Sequence, residues 1–242
     1  NSSTSWTNHG NLGNDDTQKA ALAMEFWQVA FDMYQTIVGL PKGTYRLTVD
    51  AWCRNGGNAD NYKEWVADNK ATMAYVYAVD GDSTVYAAPV ANVMAGAISD
   101  EDPGLDGVVL ADDITEGTYY LPNSLIGGWS YIQYQSEPVY TNEVICKVGD
   151  DGKLTVGMKK AEQRGNSWVV LDNFRLFYLG ANSSATPSDG TAINTLENGV
   201  AAVKVEFFNL NGARINKPGK GVALMKQTLS DGSVKLQKVI IK

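Results

Sequence analysis

The 242-residue sequence contains one histidine, His9, in a polar N-terminal stretch with no clear periodicity. That scarcity argues against a Ser-His-Asp or Cys-His mechanism, and against a histidine-ligated zinc site. No GxSxG, HExxH or P-loop pattern occurs. A pair of carboxylates could hydrolyse a glycoside, since that chemistry needs only two acids at a set separation. Twenty-seven acids offer many accidental pairs, however, so the chain reads as non-catalytic.

Cysteine is almost as scarce. Cys53 and Cys146 lie too far apart for a CxxC redox or zinc pattern. Both fall in strand-like segments, so they form one disulfide or stay as two buried thiols. Charge is also sparse. Asp, Glu, Lys and Arg make up 19% of the chain, against about 25% in typical soluble domains. Lys and Arg number 20 and the net charge is −7, which excludes the clustered basic surface that a nucleic-acid partner requires. No run of 18 apolar residues exists, so no helical membrane span is expected. The chain begins at Asn1 without Met, as it would after removal of a signal peptide.

What is present points to an all-β fold. Hydrophobic residues reach 44%, enough for a real core, and 24 Gly accompany 12 Tyr and 6 Trp. Frequent turns between aromatic-rich segments suit strands better than helix bundles. Thr44 to Arg54 is the clearest case. Tyr45, Leu47, Val49, Ala51 and Cys53 face one way, and Arg46, Thr48, Asp50, Trp52 and Arg54 the other. Glu25 to Val38 reads as one extended segment, with Trp27, Val29, Phe31 and Met33 alternating. Further strands are expected at Thr72–Val79, Trp129–Tyr134, Glu143–Val148, Lys153–Lys159 and Trp168–Leu179. Residues 87–126 read as long loops with short elements.

The charge is uneven along the chain. Residues 1–180 hold 12 basic and 23 acidic residues, a net −11, together with every Trp and Tyr. Residues 181–242 hold 8 and 4, a net +4. Such a break suggests two modules. The Ser/Ala/Thr/Pro-rich stretch at 181–192 reads as a linker. Three short strands follow in 193–242, at Val203–Asn209, Gly221–Gln227 and Val234–Ile240, with turns at Asn211-Gly212 and Asp231-Gly232.

Two stretches in the first module carry a resemblance. Tyr34 to Leu47, including Gly39-Leu40-Pro41-Lys42-Gly43, is similar to an early strand pair of galactose-binding-like jelly rolls. Leu154-Thr155-Val156-Gly157-Met158 with Trp168 to Leu176 resembles their closing strands. The resemblance implies a jelly-roll β-sandwich over 1–180, of a kind common among carbohydrate-binding modules but also used structurally. It also implies a calcium ion as a structural guest, with Asp172 matching a closing-strand carboxylate and Glu25 approaching from the first strand. No cofactor is required. In the second module, Phe207 to Ile215, Gly219-Lys220-Gly221-Val222 and Lys238 to Lys242 resemble C-terminal sorting-type tails of Bacteroidetes proteins. That resemblance implies export, to the surface or the medium.

A sugar site needs an aromatic face for C–H surfaces and polar side chains for hydroxyls. Two regions meet that description. One is Trp52, Arg54, Asn58, Tyr62 and Trp65. The other is Trp129 and Tyr131, with Tyr119 and Tyr120 nearby. Trp52 lies on the face opposite Leu47 and Val49, and in a sandwich that outer face is commonly solvent-exposed. The competing reading places these aromatics in the core, as expected for Trp27 and Trp168 in alternating apolar strands. The expected partner is a glycan or polysaccharide; the alternative is a structural or adhesive domain that contacts protein.

Overall fold

In the computed structural model, which describes residues 7–8, 23–67, 72–81, 84–190, 202–209, 213–215, 221–229 and 234–241, the alternating segments form strands. Contacts divide the chain into Asn1–Ile193 and Asn194–Lys242. The first unit contains β1 (Thr7–Asn8), β2 (Met24–Trp27), β3 (Phe31–Ile37), β4 (Gly43–Arg54), α1 (Asn58–Val66), β5 (Ala74–Asp80), β6 (Val85–Pro89) and β7 (Ala91–Asn92). It continues with β8 (Ile98–Ser99), β9 (Val108–Leu110), β10 (Tyr119–Pro122), α2 (Leu125–Tyr134), β11 (Thr141–Val148), β12 (Leu154–Lys160) and β13 (Trp168–Gly180).

Two sheets face each other. One has the order β1-β3-β12-β5-β6. The other runs β11-β4-β13-β2, with β7 added in parallel to β4. All other pairings are antiparallel, and the all-β sandwich expectation holds. The core between the sheets takes Tyr45, Leu47, Val49, Ala51 and Cys53 from β4, the inward set that alternation predicts. Phe31, Met33, Val76, Leu154 and Met158 meet them from the opposite sheet.

A second apolar cluster lies on the outer face of the β4–β13 sheet. Trp52, Trp168 and Val170 are covered there by Val93, Met94, Leu121, Leu125, Tyr131 and Tyr140. These covering residues come from 91–140, which folds into a 3₁₀ turn (Val93–Gly96), the small sheet β8-β10-β9, and α2. β4 is therefore buried on both faces, and its solvent-facing reading is corrected.

Three further expectations are corrected. Trp129–Tyr134 is helix, not strand. Ser124 caps α2 by accepting from Gly127 N at 3.1 Å, and the helix lies directly on neighbouring backbone. A Cβ on Gly127 would stand 2.0 Å from Gly107 O, so only glycine permits that approach. The segment after Glu25 breaks at Gln28, where φ is +55°. The break shifts the alternation, so Phe26 turns inward and stacks on Phe31 at 3.6 Å, while Trp27 turns out. Finally, the disulfide alternative fails. Cys146 pairs in register with Tyr45, eight residues along β4 from Cys53. That is about 26 Å of strand, against a disulfide Cα separation of at most about 7 Å.

Both thiols are buried and free. Burial raises the Cys53 pKa to about 11 and the Cys146 pKa to about 12. Neither is thiolate at neutral pH, so neither is nucleophilic. The folded chain at pH 8 is expected to leave both unreacted with Ellman's reagent over minutes, and to release two equivalents in guanidinium. Fast reaction of the folded chain would contradict this burial.

Residues 181–190 belong to the sandwich. Ser188 N donates to Ile145 O at 2.8 Å, and Ile145 N donates to Ser188 Oγ at 2.9 Å, along the outer edge of β11.

The second unit is an antiparallel sheet of β14 (Ala202–Phe208), β15 (Arg214–Ile215), β16 (Gly221–Leu229) and β17 (Val234–Ile241), in the order β15-β14-β16-β17. Its three expected strands are β14, β16 and β17. The Asn211-Gly212 and Asp231-Gly232 turns, like His9, lie outside the described residues.

Candidate functional site

Three connections meet at one end of the sandwich: β2 to β3, β4 to α1, and β12 to β13. The first presents Trp27 and Gln28. Gln28 N donates to Ser167 O at 2.8 Å, and Gln28 Nε2 donates to Asn166 Oδ1 at 3.1 Å. Both Gln28 and Asn166 have positive φ, +55° and +58°. Non-glycine residues held there mark backbone fixed by its surroundings, and such positions concentrate at ligand sites.

Ser167 fixes the third connection. Its hydroxyl donates to Arg164 O at 2.6 Å and accepts from Lys160 Nζ, whose side chain is fully buried. Burial lowers the Lys160 pKa. Glycines form the floor between these loops. A Cβ on Gly56 would stand 3.4 Å from the Arg164 guanidinium, and one on Gly57 would stand 3.9 Å from Asn166 Nδ2.

α1 starts at this floor without a capping side chain of its own. Asp113 supplies the acceptor, taking Ala59 N at 3.1 Å. Asn55 N donates to Asn61 Oδ1 at 3.0 Å, and the Asn61 and Asn92 amides bond each other in both directions. Arg164 and Asn55 both engage Glu64, at 2.6 and 3.0 Å.

Three indoles form a ladder from core to surface. Trp52 meets Trp168 edge-on at 4.9 Å, and Trp168 meets Trp27 edge-on at 5.6 Å. Trp52 is 0% exposed, Trp168 3% and Trp27 39%. The Arg54 guanidinium lies 5.2 Å from the Trp27 ring and 5.4 Å from the Trp168 ring. Arg54 Nη1 donates to Asn58 Oδ1 at 2.7 Å. Burial lowers its pKa to about 10, with Asp113 opposing the shift, so it stays charged at neutral pH. The result is a half-exposed indole backed by a cation and flanked by Gln28, Asn58 and Asn166. Such a surface can stack on an apolar ring face and hydrogen-bond its substituents.

Of the residues named from sequence, Arg54 and Asn58 belong here. Trp52 does not. It is fully buried and donates from Nε1 to Gly128 O at 3.1 Å, because 91–140 covers its face. Tyr62 and Trp65 sit on α1 and pack against the second core, with the Tyr62 ring 5.3 Å from Tyr119. Tyr131 is also fully buried. Its hydroxyl donates to Tyr120 O at 3.0 Å and accepts from Ile98 N at 2.8 Å. Trp129, on α2, bonds Asp172 through its side chain.

Glu25 and Asp172 each already accept a hydrogen bond. Glu25 Oε2 accepts from Trp168 Nε1 at 2.7 Å. Asp172 accepts from Asn173 N at 2.7 Å and lies near Asp50 and Arg175. Burial raises its pKa, and Asp50 adds to the rise. No group of three or more His, Cys, Asp or Glu able to hold a metal comes together among the described residues.

Sequence reasoning missed Trp27, Gln28 and Asn166. Alternation placed Trp27 inside, and only the shift at Gln28 reverses it. The polar Glu162–Asn166 loop was the one available signal.

A polar cleft of about 280 Å³ lies by the end of α2, lined by Asp50, Gln133, Gln135, Thr141 and Arg175 among others. Its buried carboxylate, Asp50, already accepts from Thr141 Oγ1 at 2.7 Å, Asn173 Nδ2 at 3.1 Å and Arg175. The one aromatic in its wall, Tyr140, is buried.

No protein-family model and no curated protein matches this sequence. Among solved structures, TmCBM61 in complex with β-1,4-galactotriose is similar to 72% of this chain and 88% of its own length, at 13% identity and a TM-score of 0.35. A Bacteroides thetaiotaomicron protein named for sugar binding is similar over 72% of this chain and 87% of its own, at 14% identity and a TM-score of 0.24. At those scores the likeness assigns no residue a role.

Proposed function

We propose that this chain binds carbohydrate without catalysing a reaction, through the end of the sandwich that carries Trp27. The supporting observation is the arrangement around that indole, which is 39% exposed and backed by Arg54. Gln28 and Asn166 are bonded to each other beside it, and Asn58 is bonded to Arg54. A sugar ring stacked on Trp27 meets amide donors and acceptors around its edge, the combination that hydroxyl recognition uses. The floor is fixed backbone rather than long flexible side chains, so little ordering entropy opposes binding. An extracytoplasmic setting goes with this reading, from the resemblance of the C-terminal strands to sorting-type tails.

The test is a glycan array probed with the intact chain, followed by titration of the hits with tryptophan fluorescence as the readout. Binding to a coherent set of related glycans, with a saturable change in emission, is expected. A blank array from well-folded protein would remove the carbohydrate reading and favour a domain that contacts protein.

A further inference from the structure

Three acids at this end of the sandwich are engaged by other groups. Glu25 takes the Trp168 indole, Glu64 takes Arg164 and Asn55, and Asp113 takes the start of α1. Among the described residues no carboxylate bonds Arg54 directly, and Asp113 acts on it only as a nearby charge. Arg54 is 6% exposed and makes one hydrogen bond, to the neutral Asn58 amide. Its Nε is buried with no acceptor at all.

Burying a guanidinium without a directly bonded counter-charge is costly, and the nearby Asp113 and two aromatic faces return only part of that cost. Nε alone is both buried and unpartnered, which leaves the Nη2 end in contact with solvent beside Trp27. The guanidinium carbon and the Trp27 ring centre are 5.2 Å apart, so one bound residue can touch both.

We infer that the glycan bound here is acidic: its ring stacks on Trp27 and its carboxylate is held by Arg54. This rests on the carbohydrate reading above. A carboxylate accepts from the Nη2 end through a charge-assisted hydrogen bond, a stronger contact than a neutral hydroxyl offers. The net −11 of residues 1–180 opposes an anion at long range. At physiological salt that field fades over about 8 Å, so the contact itself decides.

The experiment titrates the intact chain with trimers of galacturonate, glucuronate and mannuronate, each beside its carboxyl-reduced form. At least one acidic trimer is expected to bind tenfold or more tightly than its reduced counterpart. Because Arg54 is buried, this comparison on the unaltered chain decides the matter. Arg54→Gln, used only if its melting temperature shows it folded, is expected to erase the difference. Equal affinity for acidic and reduced forms, or binding of neutral glycans alone, overturns the acidic ligand and leaves the carbohydrate reading standing. No binding of any glycan removes both.

Discussion

Trp52→Ala is expected to destabilise the sandwich by about 3–5 kcal/mol, the range for truncating a large buried aromatic. The indole has no exposed surface and fills the space between the β4–β13 sheet and the layer made by 91–140. It touches Trp168 edge-on and gives its N–H to Gly128 O. α2 is seated on it so closely that a Cβ at Gly128 would stand 3.1 Å from the ring and 2.9 Å from Val170. Removal leaves a cavity that rigid backbone on both sides cannot close, and strands a buried carbonyl. Whole domains are stable by only about 5–15 kcal/mol, so a large part of the margin disappears. Denaturant unfolding of both chains checks this. A midpoint unchanged within error would mean that the outer layer is not packed as described.

Trp27→Ala is expected to behave in the opposite way. Glycan affinity falls at least tenfold, about 1.4 kcal/mol or more, while stability changes little. The ring is 39% exposed, and its loss removes one cation–π contact to Arg54 and one edge contact to Trp168. A partly exposed cation–π contact contributes about 0.5–1 kcal/mol, which for a domain of this size lowers the melting temperature by about 1–4 °C. Calorimetric titration beside a thermal melt separates binding from folding. Full affinity in the folded variant would move the site away from this end of the sandwich.

These two tryptophans also show what was legible in the sequence. The strand from Gly43 to Arg54 could be read because alternation is local: five apolar residues on one face are visible within eleven positions. The direction in which Trp52 points was legible for the same reason. What covers it was not, since coverage comes from residues 40 to 90 positions away, whose short strands and irregular turns have no periodic signature. Trp27 failed differently. One residue in the left-handed region, Gln28, shifts the phase of the pattern, and nothing in its side chain announces that backbone. The aromatic run of α2 shows tertiary context overriding strand preference, with the Ser124 cap and the Gly127-Gly128 pair deciding the outcome. Arg54 and Asn58 could be placed together from the sequence because loop chemistry at a strand end is local. Asn166 was not, because its neighbour in space, Gln28, lies 138 residues away.

The docking of Ser188 against Ile145 bears on where the folded unit can be cut. Composition suggests stopping near Gly180, where the last long strand ends. A recombinant fragment ended there would leave the β11 edge bare, with the N–H and C=O of Ile145 pointing at nothing. An uncovered strand edge is a template on which a second chain can add. The Ser/Ala/Pro stretch thus acts as a hem on the fabric, and a fragment ended at Gly180 is expected to self-associate more than one that keeps 181–190, as size-exclusion chromatography of the two would show.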